Sequence, residues 1–273
     1  MPDNPIKMLA NGAALVGELI KVAGDDPNVK EAGSNLGRTA LTVTKLINNA
    51  LLPLAAINFA FDKAREYFAK RFQSDLSEKV STIPAEHIVE PKASIAGPAL
   101  QGLAFTHEEV NLKEMYLSLL ATAMDGRISA QAHPAFVEII KQLASEESAL
   151  LRDVLRSSTP IPIAEFRFTT AGDGGWVTVA RHVLNVITQP GGNPEETPRL
   201  SAMVDNWVRL GLVEVDYLNH LVAEKAYSWV DGRPEYVACR SRYEAEGRTM
   251  NFQKGILRRT SLGEQFAAAV GLA

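Results

Sequence analysis

The sequence predicts a mainly α-helical protein, in which an all-helical domain over residues 1–150 precedes a winged-helix-like α+β domain over residues 151–273. Three observations carry that prediction. Apolar residues recur at helical spacing through almost the whole first half, as in Leu112, Met115, Tyr116, Leu119, Leu120 and Ala123. Two-residue alternation first appears at Ile163–Thr169, directly after the linker-like SSTPIP. From residue 146 onward the elements read helix, strand, helix, helix, strand, strand, helix, which is the order of a winged helix.

Taken from the N-terminus, Ile6–Ala23 puts Leu9, Ala13, Val16 and Ile20 on one face and stops at Gly24. A second helical pattern runs from residue 34 towards Phe72. Pro53 divides it, because proline removes a main-chain donor and clashes with the preceding turn. Ser74–Val80 adds a short polar helical turn. Residues 81–105 read as irregular, with Pro84, Pro91 and Pro98 each forcing the residue before it towards extended geometry. A helix resumes after Gly97, with Pro98 in its first turn. Thr106-His107-Glu108-Glu109 fits a capping box, which starts the helix bearing the Leu112–Ala123 stripe. His133-Pro134 opens the next helix, with Phe136, Ile139, Ile140 and Leu143 inward.

In the second half, AGDGG turns the first strand into a helix at Trp176–Ile187. QPGGNPEETP is a loop. Thr197 then caps a helix with Pro198 at its first position, an apolar stripe from Leu200 to Val208, and Gly211 just past its end. Val213, Val215 and Tyr217 alternate with Glu214 and Asp216 as a strand, and Asn251–Thr260 is its partner across a polar insertion. Ser261-x-x-Glu264 starts the closing helix, with Phe266 inward. WVRLGLVEV resembles the end of the third helix and the first wing strand of a winged helix, and RRTSLGEQF resembles its exit.

Composition narrows the function. A formal charge of −4 argues against nucleic-acid binding through bulk charge. Cys239 is the single cysteine, so no intrachain disulfide forms, and its apolar setting suits an inert, half-buried thiol. The N-terminus lacks the basic-then-apolar order of a secretory signal. Leu46–Phe61 carries no charge, but its sixteen residues include three Asn and Pro53, and a bilayer span needs about 20 apolar residues. A buried helix is the plain reading. The basic residues that follow, Lys63, Arg65, Lys70 and Arg71, keep Leu51, Leu52, Leu54 and Phe59 as candidates for membrane or partner contact.

No nucleophile elbow, phosphate loop or metal-ligand pair on one helix face is present, so no catalytic, cofactor or metal residue is assigned. His107, Glu108, Glu109 and His133 read as helix-terminal residues rather than ligands. Asp125-Gly126 reads as a helix end rather than a catalytic loop, and Gly172–Gly175 as a turn rather than a phosphate cradle. The winged-helix order makes Arg199, Asn206, Arg209, Arg258 and Arg259 the candidate nucleic-acid contacts. Arg240, Arg242, Arg248 and Lys254 complete the one locally basic region.

The run SIAGPALQGLAFTHEEVNLKEMYLSLLATAMDGR, continued by AHPAFVEIIKQLASEE, resembles the abortive-infection alpha family, a bacterial group associated with phage resistance. LINNALLPLAAINFAFDKAREYFAKRF and IPAEHIVEPKASIAGPAL extend the likeness over residues 40–150, and a weaker one continues beyond. The resemblance implies a largely helical cytoplasmic protein that contributes to killing or arresting infected cells, and it implies no reaction. The expectation is therefore a non-enzymatic defence component acting through another protein or self-association, with peripheral contact at the inner membrane as a further candidate. The alternative is a winged-helix DNA-binding regulator of a defence locus. Neither reading implies a small-molecule substrate or a cofactor.

Overall fold

The computed structural model describes residues 58–170, 174–186, 196–197 and 199–272. The helices expected at 6–23 and over 34–57 lie outside these residues. The chain forms two compact units, Met1–Ala149 with Gln265–Ala273, and Leu150–Glu264.

In the first unit, α1 (Asn58–Lys70) and α2 (Phe72–Val80) are consecutive helices separated at Arg71. Tyr67, Phe68 and Phe72 form an edge-to-face cluster across that break, with ring centres 5.1 to 6.3 Å apart. Then follow α3 (Ala93–Thr106), α4 (Val110–Met124) and α5 (Pro134–Lys141). Helix α4 is the centre of the unit. Its whole expected stripe, Leu112, Met115, Tyr116, Leu119, Leu120 and Ala123, is buried. The expected α5 face is buried as well, at Phe136, Ile139, Ile140 and the following Leu143. His133 opens α5 as read, its Nδ1 accepting from the Ala135 amide at 3.1 Å. Helix α6 (Ser145–Arg156) and the closing α9 (Ser261–Ala269) each contribute residues to both units.

Two local readings fail here, for one reason. The helix at 93–106 starts before Pro98 and carries it internally, at the loss of one i to i−4 hydrogen bond. Ile95, Ala96, Ala99, Leu100, Leu103 and Ala104 are buried along it, and that burial outweighs the missing bond. The same burial carries α3 through Thr106, whose hydroxyl donates back to the Gly102 carbonyl at 3.1 Å. No capping box forms, and Glu109 takes the N-cap position of α4.

The second unit corrects the fold class: it is not a winged helix. Residues expected to form a helix at Trp176–Ile187 form β2 (Trp176–Leu184), hairpinned to β1 (Ile161–Thr170). With β3 (Val213–Asp216) and β4 (Arg248–Arg259) they make a four-stranded antiparallel sheet in the order β2-β1-β4-β3. A strand thus stands where a winged helix has the second helix of its helix–turn–helix. The physical reason is local. Val177, Thr178, Val179 and Val183 are β-branched, stiff at χ1 and suited to a pleated surface. Gly174, which precedes β2, sits at φ +60°, a left-handed conformation that glycine adopts without strain. The polar insertion carries a helix too, α8 (Pro234–Ala245). It covers one face of the sheet, where Ala164, Phe166, Phe168 and Met250 pack with Tyr227, Val230 and Tyr236. Cys239 lies half-buried at the edge of this core, and burial pushes its thiol above the usual range.

Other second-unit readings hold. Strand β3 pairs with β4, from Val213 opposite Arg259 to Asp216 opposite Ile256. Helix α7 (Leu200–Arg209) buries Leu200, Met203, Val204 and Trp207 and ends at Gly211, whose φ is +73°. Its start differs from the reading: the N-cap is Arg199, in a left-handed conformation, rather than Thr197. The closing helix also shifts its cap. Thr260, not Ser261, accepts the Gly263 amide at 2.9 Å. A Cβ on Gly263 would collide with the Leu212 carbonyl, so the glycine is there for close approach rather than for its torsions. Gly263→Ala should therefore lower stability by about 3 kcal/mol, the upper end for overpacking against backbone. Thr260→Ala should cost about 1–2 kcal/mol. Both are measured by denaturant unfolding, and the alanine at 263 should be the more damaging of the two.

Candidate functional site

The first unit contains an open groove of about 640 Å³. Its floor is apolar, formed by Leu112, Ile140, Leu143 and the ring of Tyr116. Gln101, Gly102, Phe105 and Thr106 from α3 make one wall, and Lys141 to Glu146 the other. The volume lies in the range of ordinary ligand clefts, about 300–1,000 Å³.

Gly102 shapes the floor. A Cβ there would fall on the phenol end of Tyr116, so the ring can lie flat beneath α3 only because position 102 has no side chain. The Tyr116 hydroxyl is buried and has no hydrogen-bond partner among the described residues. Burial, and secondarily the Glu138 carboxylate, push its phenol above the tyrosine range, so it stays a neutral donor. An unpaired buried hydroxyl costs about 1–3 kcal/mol.

The rim is acidic. Glu109 and Glu146 line the groove, and neither carboxylate has an ion pair or hydrogen bond among the described residues. Lys141 does not neutralise them, because its ammonium pairs with Glu138 at 2.8 Å. Phe105 lines the lip at 51% exposure, and Val110, next to Glu109, is 66% exposed. The groove thus combines an apolar floor, two carboxylates without an ion pair among the described residues and an exposed aromatic lip, with an unsatisfied hydroxyl buried behind the floor.

The second unit holds a polar cluster whose groups are, by contrast, satisfied. Glu165, almost fully buried in β1, accepts from Arg167 Nε at 2.6 Å, Thr178 Oγ1 at 2.9 Å and Arg181 Nε at 2.8 Å. Burial raises its carboxyl, and the hydrogen bonds from Arg167, Thr178 and Arg181 outweigh this and hold it below the ordinary range. Beside it, His182 sits at φ +58° in a bulge of β2. Its Nδ1 shares a hydrogen bond with the Tyr217 hydroxyl at 3.1 Å, and its Nε2 faces Asp205 at 3.2 Å. Burial lowers its pKa. Every group here has a partner, so the cluster locks the hairpin to β3 and α7.

A family model described as abortive infection alpha matches residues 64–270. The chain belongs to the abortive infection alpha family. Membership gives it a role in abortive infection, the phage-defence response in which infected cells are sacrificed. Every residue that lines the groove falls inside the matched span. No curated protein and no solved structure matches the chain.

Within this abortive infection alpha protein the residues singled out from sequence are dispersed. Leu51, Leu52 and Leu54 lie outside the described residues, and Phe59 falls in the first turn of α1. No helix among the described residues is long and apolar enough to cross a membrane. Arg199 caps α7, and Arg209 donates to Asn206 at 2.6 Å one turn back. Arg258 pairs with Glu214, while Arg259 bonds Glu264 and the Leu155 carbonyl. The neighbouring basic groups are likewise engaged, Arg240 with Asp231, and Arg242 and Arg248 with Glu246.

The His and Glu residues of the first unit have separate tasks. His107 stacks on Tyr67 with ring centres 5.1 Å apart, and Glu108 pairs with Lys63 at 2.8 Å. Among the described residues, no group of three or more His, Cys, Asp or Glu could hold a metal ion. Asp125 caps the end of α4 and is clasped by Arg127, which donates to both carboxylate oxygens at 2.9 and 2.6 Å and holds the carboxyl below its usual range. Gly126 follows because a Cβ would press on Val89 and the His87 carbonyl.

The groove's own residues were not visible in the sequence. Tyr116 read as one more stripe residue, and Glu109 as half of a capping box. Only Gly102, a glycine inside a helical pattern, carried a signal of close approach.

Two outcomes follow from this geometry. Tyr116→Phe should leave thermal stability unchanged or raised, because the hydroxyl it removes is unpaired. Glu165→Gln should cost about 3 kcal/mol in denaturant unfolding, since it uncouples a buried carboxylate from its arginines. The depressed Glu165 pKa stabilises the fold above the ordinary glutamate value, about 4.3. That contribution disappears as pH falls through the folded-state value, so the glutamine variant should show a weaker acid dependence of stability.

Proposed function

We propose that this protein is a non-enzymatic component of abortive-infection defence that acts by binding a protein partner in the groove of its helical unit. The observation that carries this reading is the buried Tyr116 hydroxyl with no partner among the described residues. Pairing that donor with a ligand's acceptor would require the floor of the groove to open, because the oxygen is shielded from solvent in the free chain.

The surrounding chemistry describes that partner. An apolar side chain would cover Leu112, Ile140 and Leu143, and a carbonyl would accept from Tyr116. A basic residue would lie against Glu109 and Glu146, whose carboxylates have no ion pair among the described residues. Phe105, already half in solvent, would be covered at the edge of the contact. The reading is thus of a short apolar and basic segment of another protein, held by polar groups that have no bonding partner among the described residues.

Membrane association has less to draw on. Lys63 and Lys70, two of the four basic groups that follow the uncharged stretch, are engaged with Glu108 and Glu66. An anionic surface would have to compete with those pairs.

The test is a phage challenge of cells expressing the protein, with Tyr116→Phe and the double reversal Glu109→Lys, Glu146→Lys. Both variants should fold normally, and both should lose protection. The phenylalanine removes one hydrogen bond, about a tenfold loss of affinity at roughly 1.4 kcal/mol. Protection that survives both changes in folded protein overturns the groove as the working site.

A further inference from the structure

Helix α1 brings the N-terminal part of the chain to the rim of the groove. Lys63, in the first half of α1, donates to the Glu108 carboxylate at 2.8 Å. Tyr67, one turn on, stacks on His107 with ring centres 5.1 Å apart. Both contacts are made at the corner between α3 and α4. Thr106 and Glu109, which flank that His–Glu pair in sequence, line the groove. Asn58, where α1 begins, stands five residues before Lys63, about 7.5 Å of helix at roughly 1.5 Å per residue. The chain that precedes α1 is therefore delivered close to the groove.

That chain has the composition the groove calls for. From Ala32 to Phe61 there is no Asp or Glu, and the only charges are Arg38 and Lys45. Every other cation ahead of α1 has a carboxylate within four residues along the chain: Lys7 has Asp3, Lys21 has Glu18 and Lys30 has Glu31. Between Arg38 and Lys45 the residues are all uncharged, and they include Leu41 and Val43. The groove offers the complement. Its floor is apolar, and Glu109 and Glu146 on its rim have no ion pair among the described residues.

We propose that Arg38–Lys45 of the same chain occupies this groove and that the outside partner binds by displacing it. These eight residues lie outside the described ones, and charge, apolar content and reach select them. Arg38 and Lys45 answer Glu109 and Glu146, and with no acidic residue between them the segment brings no repulsion to the rim. Leu41 and Val43 cover the floor. Thirteen residues separate Lys45 from Asn58, a reach of up to about 45 Å. A short tether also holds its segment at an effective concentration in the millimolar range. An untethered partner of the same chemistry gains the groove only where its own affinity outweighs that advantage. The inference rests on the groove as the working site and adds the regulation of that site.

Zero-length carbodiimide coupling of the full chain, read by peptide mass spectrometry, should join Lys45 to Glu109 or Glu146. In an equal mixture of ordinary and 15N-labelled protein, each joined pair should carry a single isotope, which marks the contact as internal. Leu41→Asp with Val43→Asp keeps every coupling group, and should cut the yield at least about tenfold with an unchanged circular dichroism spectrum. A fluorescent peptide of residues 36–47 is the probe for the vacated groove. It should bind that double variant at least about tenfold more tightly than the parent chain, and Glu109→Lys with Glu146→Lys should abolish the gain. Absence of Lys45 coupling, coupling only between copies, or equal peptide binding by the two chains each overturns the inference. If the rim reversal still costs phage protection in that case, the groove remains the working site and only its internal occupant is lost. Protection that survives the rim reversal overturns the working site and its regulation together.

Discussion

The packing of the Tyr116 ring against the bare backbone of Gly102 is the contact on which the helical unit's groove depends. Because position 102 lacks a side chain, α3 can approach α4 closely enough for the ring to lie beneath it. The same approach buries the phenol oxygen, which has no hydrogen-bond partner among the described residues. A tightly packed floor and an unsatisfied donor are two consequences of one close contact. The burial that drives it also carries α3 through Pro98 and Thr106, past the boundary that local helix signals would set.

The second unit is organised by a different constraint, the desolvation of Glu165. A carboxylate in the middle of a sheet is tolerable only when fully bonded, and Arg167, Thr178 and Arg181 supply those bonds from two adjacent strands. The β2 bulge brings Arg181 and His182 to the places where they serve Glu165 and Tyr217. The two units thus differ in character. In the sheet every buried charge near the hairpin is matched, whereas the groove's donor and its two rim carboxylates are left without partners among the described residues. That contrast is why binding is assigned to the helices, while the cluster on the sheet is read as structure.

Much of the helical unit was legible from periodicity. The stripes of α4 and α5 and the Pro134 start are set by residues within one or two turns of each other, and short-range pattern reports short-range structure. The starts of α3 and α4 were not legible, because competing signals at Pro98 and Thr106 were settled by contacts with distant segments. In the second unit β1, β3, β4, α7 and the Gly211 stop were readable, yet the fold class was missed at one element. Trp176–Leu184 carries apolar residues that suit either period over so short a span, and its β-branched content was the better guide.

The sequence by itself determined that the described part of the first half is helical and that strands enter in the second. It also placed the chain in the abortive infection alpha family, through a run of residues that are mostly caps, turns and core positions. Such residues are constrained by their immediate neighbours along the chain, so linear order records them. Only the tertiary structure decided that the second unit is built on a four-stranded sheet. It alone brought Gly102, Tyr116, Glu109 and Glu146 to a single groove. Those arrangements depend on burial and on the pairing of groups far apart in sequence. A hydroxyl without a partner is visible only once every potential partner has a position.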